Sequence, residues 1–228
     1  MEPRGTATQT GTGAPPAARL YTVGHSNHPC ERFMQLLRAA GVTTVADVRS
    51  SPFSRRLPHF NRPGLERALR PLGIAYSFLG DLLGGRPEQP DVYAADGRVD
   101  YERVRATPAF RRGVERLVQA LGRHTVALLC AEEDPLDCHR GLMIAPALVE
   151  RGLAPVHLRA DGRAETTDEL ESRLLAETGV GAGVADGLFA ATLTAAERRQ
   201  LLAEAYRAQA RRKAFRRSAD SAADPKFD

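Results

Sequence analysis

The sequence predicts an α/β protein built on a Rossmann-like parallel sheet flanked by helices, a single domain with a C-terminal helical extension. Two observations lead to this prediction. Short apolar runs alternate with segments whose apolar residues recur at helical spacing, and strands that alternate with helices pair in parallel. Glycine, proline and capping residues separate these segments. The length of 228 residues suits one domain with appendages.

The first half of the chain contains three predicted strands and two predicted helices. Pro29 opens the first helix, which carries Phe33 and Leu37 on one face and stops at Gly41. Pro63 fits the first turn of the second helix. The predicted elements are, in order, a strand over residues 20–23, a helix from 29 to 40, a strand over 42–48, a loop over 50–62, a helix from 63 to about 73 and a strand over 74–79.

The second half begins with residues 80–106, which glycine and proline mark as a loop. Thr107 and Pro108 then start a helix, because threonine caps a helix and proline fits its first turn. The remaining predicted elements are that helix up to residue 121, a strand over 126–130, a helix from 138 to 152, a strand over 155–158 and a helix of about twenty residues from 194.

The composition divides the chain into three parts. We expect a disordered tail over residues 1–18, the α/β domain over 19–160 and the helical extension over 161–228. The extension is basic, with eight basic residues against two acidic ones between 196 and 217. The net charge of +4 therefore comes from its last helix. Two capping boxes open helices of the extension, Thr166 with Glu169 and Thr194 with Glu197.

The sequence contains neither a secretory signal nor a membrane span that we can identify. Its first twenty residues lack an apolar stretch, and no apolar run approaches the roughly 18 residues needed to cross a bilayer. The three cysteines are an odd count for a disulfide framework. We therefore expect a cytoplasmic protein whose thiols bind metal or take part in catalysis.

Polar motifs follow three of the predicted strands. They are Gly24-His25-Ser26-Asn27, Asp47-Val48-Arg49 and Cys130-Ala131-Glu132. Because the carboxyl ends of parallel strands meet at one edge of a sheet, we expect these motifs to form a cleft. Arginines that match planar anions would make phosphate or carboxylate the natural ligand there.

The expected catalytic residues are Cys138, His25, Asp47 and Glu132. Cys138 is the expected nucleophile, because a helix start and Arg140 should lower its thiol pKa. His25 is the expected general base, oriented by Asp47 or Glu132. Asp47 and Arg49 should not pair with each other, since side chains two apart in a strand extend in parallel. The expected substrate-binding residues are Ser26, Asn27, Arg49, Arg56, Asn61, Arg86, His139 and Arg140.

Metal binding is the main alternative chemistry. Sulfur and imidazole ligands suit zinc or iron, although the sequence has no Cys-x-x-Cys pattern and we predict no resident cofactor. Cys130 and Cys138 also make a possible redox pair. The alternative metal ligands are Cys130, Cys138, His139 and His25.

The motifs together resemble the DUF488 family, a domain of unknown function. The resemblance covers roughly residues 20 to 160. It depends on Gly24-His25-Ser26-Asn27, on the run from Asp47 to Pro52 with Phe60-Asn61, on Leu83-Gly84-Gly85-Arg86 and on Cys130-Ala131-Glu132 followed by Cys138-His139-Arg140. It implies a compact α/β domain with a polar site built from these motifs. Pro146 departs from the pattern, since an interior proline should kink or end the Cys138 helix.

Three functions follow from these features. The first is an enzyme that acts on a phosphate- or nucleotide-like anion through the Cys/His/Arg site, by transfer or hydrolysis. The second is a module that binds nucleotide or nucleic acid without catalysis, with the basic C-terminal helix as a nucleic-acid contact. The third is a metal-dependent enzyme that uses the thiols and histidines. None of the three calls for a membrane partner.

Overall fold

A computed structural model, which describes residues 20–182 and 193–217, contains a six-stranded sheet. The predicted tail over residues 1–18 lies outside the described residues. The strands are β1 (Leu20–Gly24), β2 (Thr44–Asp47), β3 (Ala75–Phe78), β4 (Val126–Cys130), β5 (Val156–Leu158) and β6 (Ala164–Glu165). Their order is β3-β2-β4-β1-β5-β6. The first five strands are parallel and β6 pairs antiparallel to β5, so the predicted α/β fold is confirmed.

Helices cover both faces of the sheet. They are α1 (Cys30–Ala39), α2 (Arg62–Leu69), α3 (Gly80–Leu83), α4 (Tyr101–Ala106), α5 (Pro108–Leu121), α6 (Ala145–Val149), α7 (Thr167–Thr178) and α8 (Ala195–Lys213). Both predicted capping boxes are present, one at the start of α7 and one at the start of α8.

The sheet separates two hydrophobic cores, and β4 contributes to both. Successive side chains of a strand point to opposite faces. Ala127 and Leu129 therefore join a core built with α1 and α2, while Val126 and Leu128 join a core built with α5, α7 and α8. This double burial explains why β4 is apolar along its whole length.

The connections after β1 and β4 leave the sheet in opposite directions. The chain passes from β1 through α1 to β2, and from β4 through α6 to β5. Because β1 and β4 are neighbours, the switch point lies between their carboxyl ends. Such a switch point is where open α/β sheets bind ligands.

One local prediction is wrong, and one strand was not predicted. Residues 80–106 contain α3, α4 and a 3-10 turn over Pro90–Val92 rather than only loop, and the side chain of Asp100 caps α4 by accepting hydrogen bonds from the N–H groups of Glu102 and Arg103. The short strand β6 has no alternating apolar pattern, because it is only two residues long and lies at the sheet edge.

The helix expected from Cys138 forms in pieces. Cys138 has extended backbone angles, a π-helical turn follows over Arg140–Ile144, and α6 begins at Ala145. Pro146 thus lies in the first turn of α6, where its missing N–H leaves no helical hydrogen bond unmade. The predicted break in the helix therefore lies before the proline, where the π-helical turn changes to the α-helix α6.

The C-terminal extension packs on the domain. Leu202 and Ala205 of α8 are buried, and Gln209 donates a hydrogen bond to the carbonyl of Leu136. Several basic side chains of α8 form ion pairs, namely Arg198 with Glu171 of α7 within the extension, and Arg207 with Glu102 and Lys213 with Asp137 of the domain. In the described part of the chain, no helix combines the length and the apolar character that crossing a membrane requires.

Candidate active site

The backbones of β1 and β4 stay paired beyond the ends of both strands. The N–H of His25 donates to the carbonyl of Cys130 at 3.0 Å, and that of Ser26 donates to the carbonyl of Ala131 at 2.8 Å. Gly24 permits this approach, because a Cβ there would lie 1.7 Å from the carbonyl oxygen of Glu132. The Gly24 motif therefore places His25 beside the residues that follow β4.

His25 is a buried, neutral imidazole. Its Nδ1 lies 2.7 Å from the carbonyl oxygen of Ser26 and must donate to it, which leaves Nε2 with a lone pair. The ring stacks on Phe60 at 4.5 Å between centroids and is 5% exposed. Burial, reinforced by the charge of Arg49, lowers the pKa of His25 to about 4. The expectation that Asp47 or Glu132 orients this ring is wrong, since the Ser26 carbonyl does so.

Two thiols and a carboxylate meet after β4. The Sγ of Cys130 donates to Oε2 of Glu132 at 2.9 Å and lies 3.7 Å from Nδ1 of His139. Ligand atoms of Cys130, Glu132 and Cys138 all lie within 4.8 Å of one another. We call these three residues the thiol–carboxylate cluster.

The protonation states within this cluster differ. Burial opposes ionisation of Glu132, but the hydrogen bond from Cys130 and the nearby charge of Arg140 lower its pKa overall. Burial raises the pKa of the Cys138 thiol well above its usual value, and the charge of Arg140 does not offset this. The expected low pKa of Cys138 is therefore wrong, because this side chain is 4% exposed.

Arg140 is fully buried and holds the loop after β4. Its Nη1 donates to the carbonyl of Glu132 at 2.6 Å and to Sγ of Cys138 at 2.9 Å, and its Nη2 donates to the carbonyl of Glu133 at 2.5 Å. Only Nε lacks a partner among the described residues. The guanidinium of Arg140 therefore stabilises the loop after β4 and does not bind substrate, contrary to the expected role.

Asp47 and Arg49 form a buried pair, contrary to the prediction. Nε and Nη2 of Arg49 donate to the two carboxylate oxygens of Asp47 at 2.9 and 2.6 Å, and Nη2 also reaches the carbonyl of Phe60. The pairing is possible because β2 ends at Asp47, so Arg49 lies outside the extended strand and folds back. The hydroxyl of Tyr76 donates to the same carboxylate at 2.7 Å.

His139 joins the loop after β4 to β2. Its Nε2 donates to the carbonyl of Val48 at 2.9 Å. Gly85 packs against this ring, and a Cβ on Gly85 would come within 2.7 Å of it. His139 is buried. It therefore supports the site structurally, whereas we had expected it to bind substrate.

The remaining expected residues lie on the connections that follow β1, β2 and α3. Ser26 has a positive φ of 45°, and Asn27 beside it is exposed. The side chain of Asn61 accepts a hydrogen bond from the N–H of Ser54 and so fixes the loop before α2. Arg56 is exposed on that loop. The guanidinium of Arg86 lies 4.7 Å over the ring of Phe215, which draws it towards the C-terminal segment.

Three aromatic residues at the site have no counterpart among the predicted site residues. Phe60 stacks on His25 and Tyr76 binds Asp47. Tyr101 is buried, and burial followed by the charges of Cys138, Cys130 and Glu132 raises its pKa. The sequence held one usable signal, Asp100 as a helix cap directly before Tyr101.

Comparison with known proteins gives one result. Residues 29–145 match the family model described as "Domain of unknown function DUF488". No curated protein and no solved structure matches the chain. The matched segment includes α1, the buried Asp47–Arg49 pair and the thiol–carboxylate cluster, whereas His25 lies just before it.

Proposed function

The chain belongs to the DUF488 family, and we propose that it is an enzyme that acts on an anionic, phosphate- or nucleotide-like substrate through a thiol. The proposal depends chiefly on one contact, the 2.9 Å hydrogen bond between Sγ of Cys130 and the carboxylate of Glu132. An ionised carboxylate in contact with a thiol is a ready proton acceptor, which is what a weakly acidic nucleophile requires.

The nucleophile in this proposal is Cys130, in place of Cys138. Burial raises the pKa of Cys138, and the positive charge of Arg140 on its sulfur does not offset this, so Cys138 stays protonated and supports the site. Cys130 is also buried, at 2% exposed, but it has its proton acceptor, Glu132, already in place. Its Sγ attacks the electrophilic atom of the substrate while its proton passes to Oε2 of Glu132, and the leaving group departs with the bonding electron pair.

His25 serves the second half of the reaction. Its Nε2 carries a lone pair, because Nδ1 donates to the Ser26 carbonyl. In hydrolysis, water attacks the covalent intermediate and gives its proton to Nε2, and the proton on Glu132 returns to the sulfur of Cys130. Because its pKa is about 4, His25 is in the basic form throughout the neutral range.

Two features support an anionic substrate. Helix α1 starts shortly after His25 without a side-chain cap, so its first N–H groups and the positive end of its dipole remain available to an anion. Arg56 is exposed on the neighbouring loop and forms no ion pair among the described residues. Arg49 and Arg140 no longer count towards substrate binding, because their guanidinium groups are buried and bind internal carboxylate and carbonyl groups, apart from the unpartnered Nε of Arg140.

The test is a turnover screen of phosphorylated and nucleoside compounds with mass-spectrometric detection of products. We expect Cys130→Ser to abolish turnover and Glu132→Gln to reduce it, with melting temperatures close to that of the wild type. The matched control is Cys30→Ser, which changes a half-buried thiol on α1 outside the cluster. Turnover that survives Cys130→Ser contradicts thiol catalysis, and binding without any turnover favours the binding-module alternative.

A metal-dependent enzyme is the second candidate, because Cys130, Glu132 and Cys138 present three ligand atoms within 4.8 Å of one another. Two sulfurs and a carboxylate suit zinc. The guanidinium of Arg140, 2.9 Å from Sγ of Cys138, opposes a cation there. Elemental analysis of tag-free protein decides between the two: about one zinc per chain that is lost in Cys138→Ser supports the metal enzyme, and a metal-free protein with turnover supports the thiol enzyme.

A further inference from the structure

A cavity lies away from the candidate active site, between the sheet and α5. Its volume is about 630 Å³. It borders Thr44 and Val126, the first residues of β2 and β4, whereas the candidate active site lies beyond the last residues of those strands. Leu79 and Leu117 give it a partly apolar wall.

The polar lining of this cavity is basic. Arg116 and Arg123 lie on one face of the C-terminal half of α5 and the turn after it, and His124 follows them. None of the described residues that line the cavity carries a carboxylate. In the described ranges, 20–182 and 193–217, neither arginine forms an ion pair, in contrast to Arg49 and Arg159, which are bound to carboxylates.

An unpartnered hydroxyl borders the same cavity. Thr44 is 8% exposed and its Oγ1 has no hydrogen-bond partner among the residues described. A buried polar group without a partner is costly, and buried polar groups in proteins are normally hydrogen-bonded. Ser77 on the edge strand β3 and Gln119 on α5 add further polar groups to the wall.

We infer that this cavity, which we call the α5 cavity, binds an organic anion that carries a carboxylate or phosphate on an apolar body. The arginines would hold the anionic group, Thr44 would supply a hydrogen bond, and the apolar part would lie against Leu79 and Leu117. The volume of the cavity falls within the range typical of small-molecule sites. The negative end of the α5 dipole lies nearby and does not favour an anion. The two guanidinium groups therefore supply the positive charge that holds the anion.

The experiment uses the full chain and the fluorescent organic anion 1-anilinonaphthalene-8-sulfonate as probe. We expect the double variant Arg116→Ala/Arg123→Ala to weaken dye binding about tenfold or more, because two charge-assisted contacts are lost. Thr44→Val should weaken binding more modestly while keeping the shape of the side chain. The matched control is Arg112→Ala, an exposed arginine on the same helix outside the cavity lining.

Competition identifies the natural class of ligand. Displacement of the dye by a nucleoside monophosphate indicates a phosphate ligand, and displacement by a medium-chain fatty acid indicates a carboxylate ligand. Dye binding that is equal in the wild type and in the double variant overturns the inference, as does dye that neither competitor displaces. Cys130→Ser should leave dye binding unchanged, so this result does not depend on the proposed thiol chemistry.

Discussion

The polar residues after β2 and after β4 lie at the same edge of the sheet, yet they differ in whether their polar groups remain accessible. After β2, Asp47 and Arg49 bind each other, and Phe60 and Tyr76 use the remaining groups. After β4, Cys130 and Glu132 bind each other, but the Glu132 side chain stays exposed to solvent. Charged residues in a motif therefore do not by themselves mark chemistry. A proton acceptor that contacts a thiol and still reaches solvent, as Glu132 does, is the better indicator of a reactive site.

Seven of the motif residues can be divided into two sets by the role of their polar groups. Asp47, Arg49, His139 and Arg140 form what we call the frame, in which buried polar groups support loops. His25, Cys130 and Glu132 form the reactive set, which differs from the frame in its chemistry and not in burial, because His25 and Cys130 are 5% and 2% exposed. Substitutions in the frame should mainly lower stability, whereas substitutions in the reactive set should mainly change reactivity.

The largest effect on stability should come from Arg140. We expect Arg140→Ala to lower the free energy of unfolding by about 3–5 kcal/mol, because two carbonyls lose their donor and a cavity opens. Denaturant unfolding measures this loss. Arg56→Ala, which removes an exposed arginine, should change stability by no more than about 0.5 kcal/mol. Equal effects of the two variants would contradict the role of Arg140 in the frame.

The buried Asp47–Arg49 pair should show strong coupling. Asp47→Asn alone leaves Arg49 without its counter-charge and should cost about 3 kcal/mol. Adding Arg49→Met removes the uncompensated charge and should recover part of that loss. A double-mutant cycle in denaturant measures the coupling, and strictly additive effects would mean that the pair does not exist in solution.

Gly85 tests the packing behind His139. A Cβ at Gly85 would meet the His139 ring at 2.7 Å, so Gly85→Ala should cost about 1–3 kcal/mol. Gly122→Ala is the matched control, because Gly122 has a helical φ and its Cβ would meet no atom closer than 3.5 Å. The control should be neutral or slightly stabilising. A tolerant Gly85 would imply that the ring is mobile.

The neutral histidines give the smallest predicted effect, a dependence of stability on pH. Burial lowers the pKa of His25 to about 4 and that of His157 to about 3, from 6.5. Between those values the unfolded chain binds protons that the folded chain does not, so stability should be constant above pH 6.5 and fall as the pH drops below it. We expect His157→Gln to remove about 1–2 kcal/mol of the loss between pH 6.5 and 5. His124→Gln, at an exposed site, should leave the profile unchanged.

The sequence predicted the fold well because the fold depends on local patterns. The parallel strands, the capping boxes of α7 and α8 and the apolar character of β4 all follow from spacing and propensity. It also predicted which motifs meet, since the carboxyl ends of parallel strands share an edge. The strand β6 and the helix α4 escaped prediction because each is short and is stabilised by tertiary contacts or by a single cap.

The sequence could not predict which polar side chains are hydrogen-bonded to other groups of the protein. Arg140 reaches backbone carbonyls of Glu132 and Glu133, and His139 reaches the carbonyl of Val48. Backbone acceptors leave no trace in a sequence pattern. Burial likewise reversed the expected pKa of Cys138, because desolvation depends on the packing around the whole side chain.

The most direct test of this division is the site-resolved alkylation of Cys130 and Cys138 by iodoacetamide, followed by peptide mass spectrometry across a range of pH. We expect Cys130 to react faster than Cys138 at neutral pH, and we expect Glu132→Gln to slow Cys130 because its proton acceptor is lost. The control is the rate at Cys30, which Glu132→Gln should not change. Alkylation that is faster at Cys138 than at Cys130, or a Cys130 alkylation rate that is unchanged by Glu132→Gln, would contradict the account.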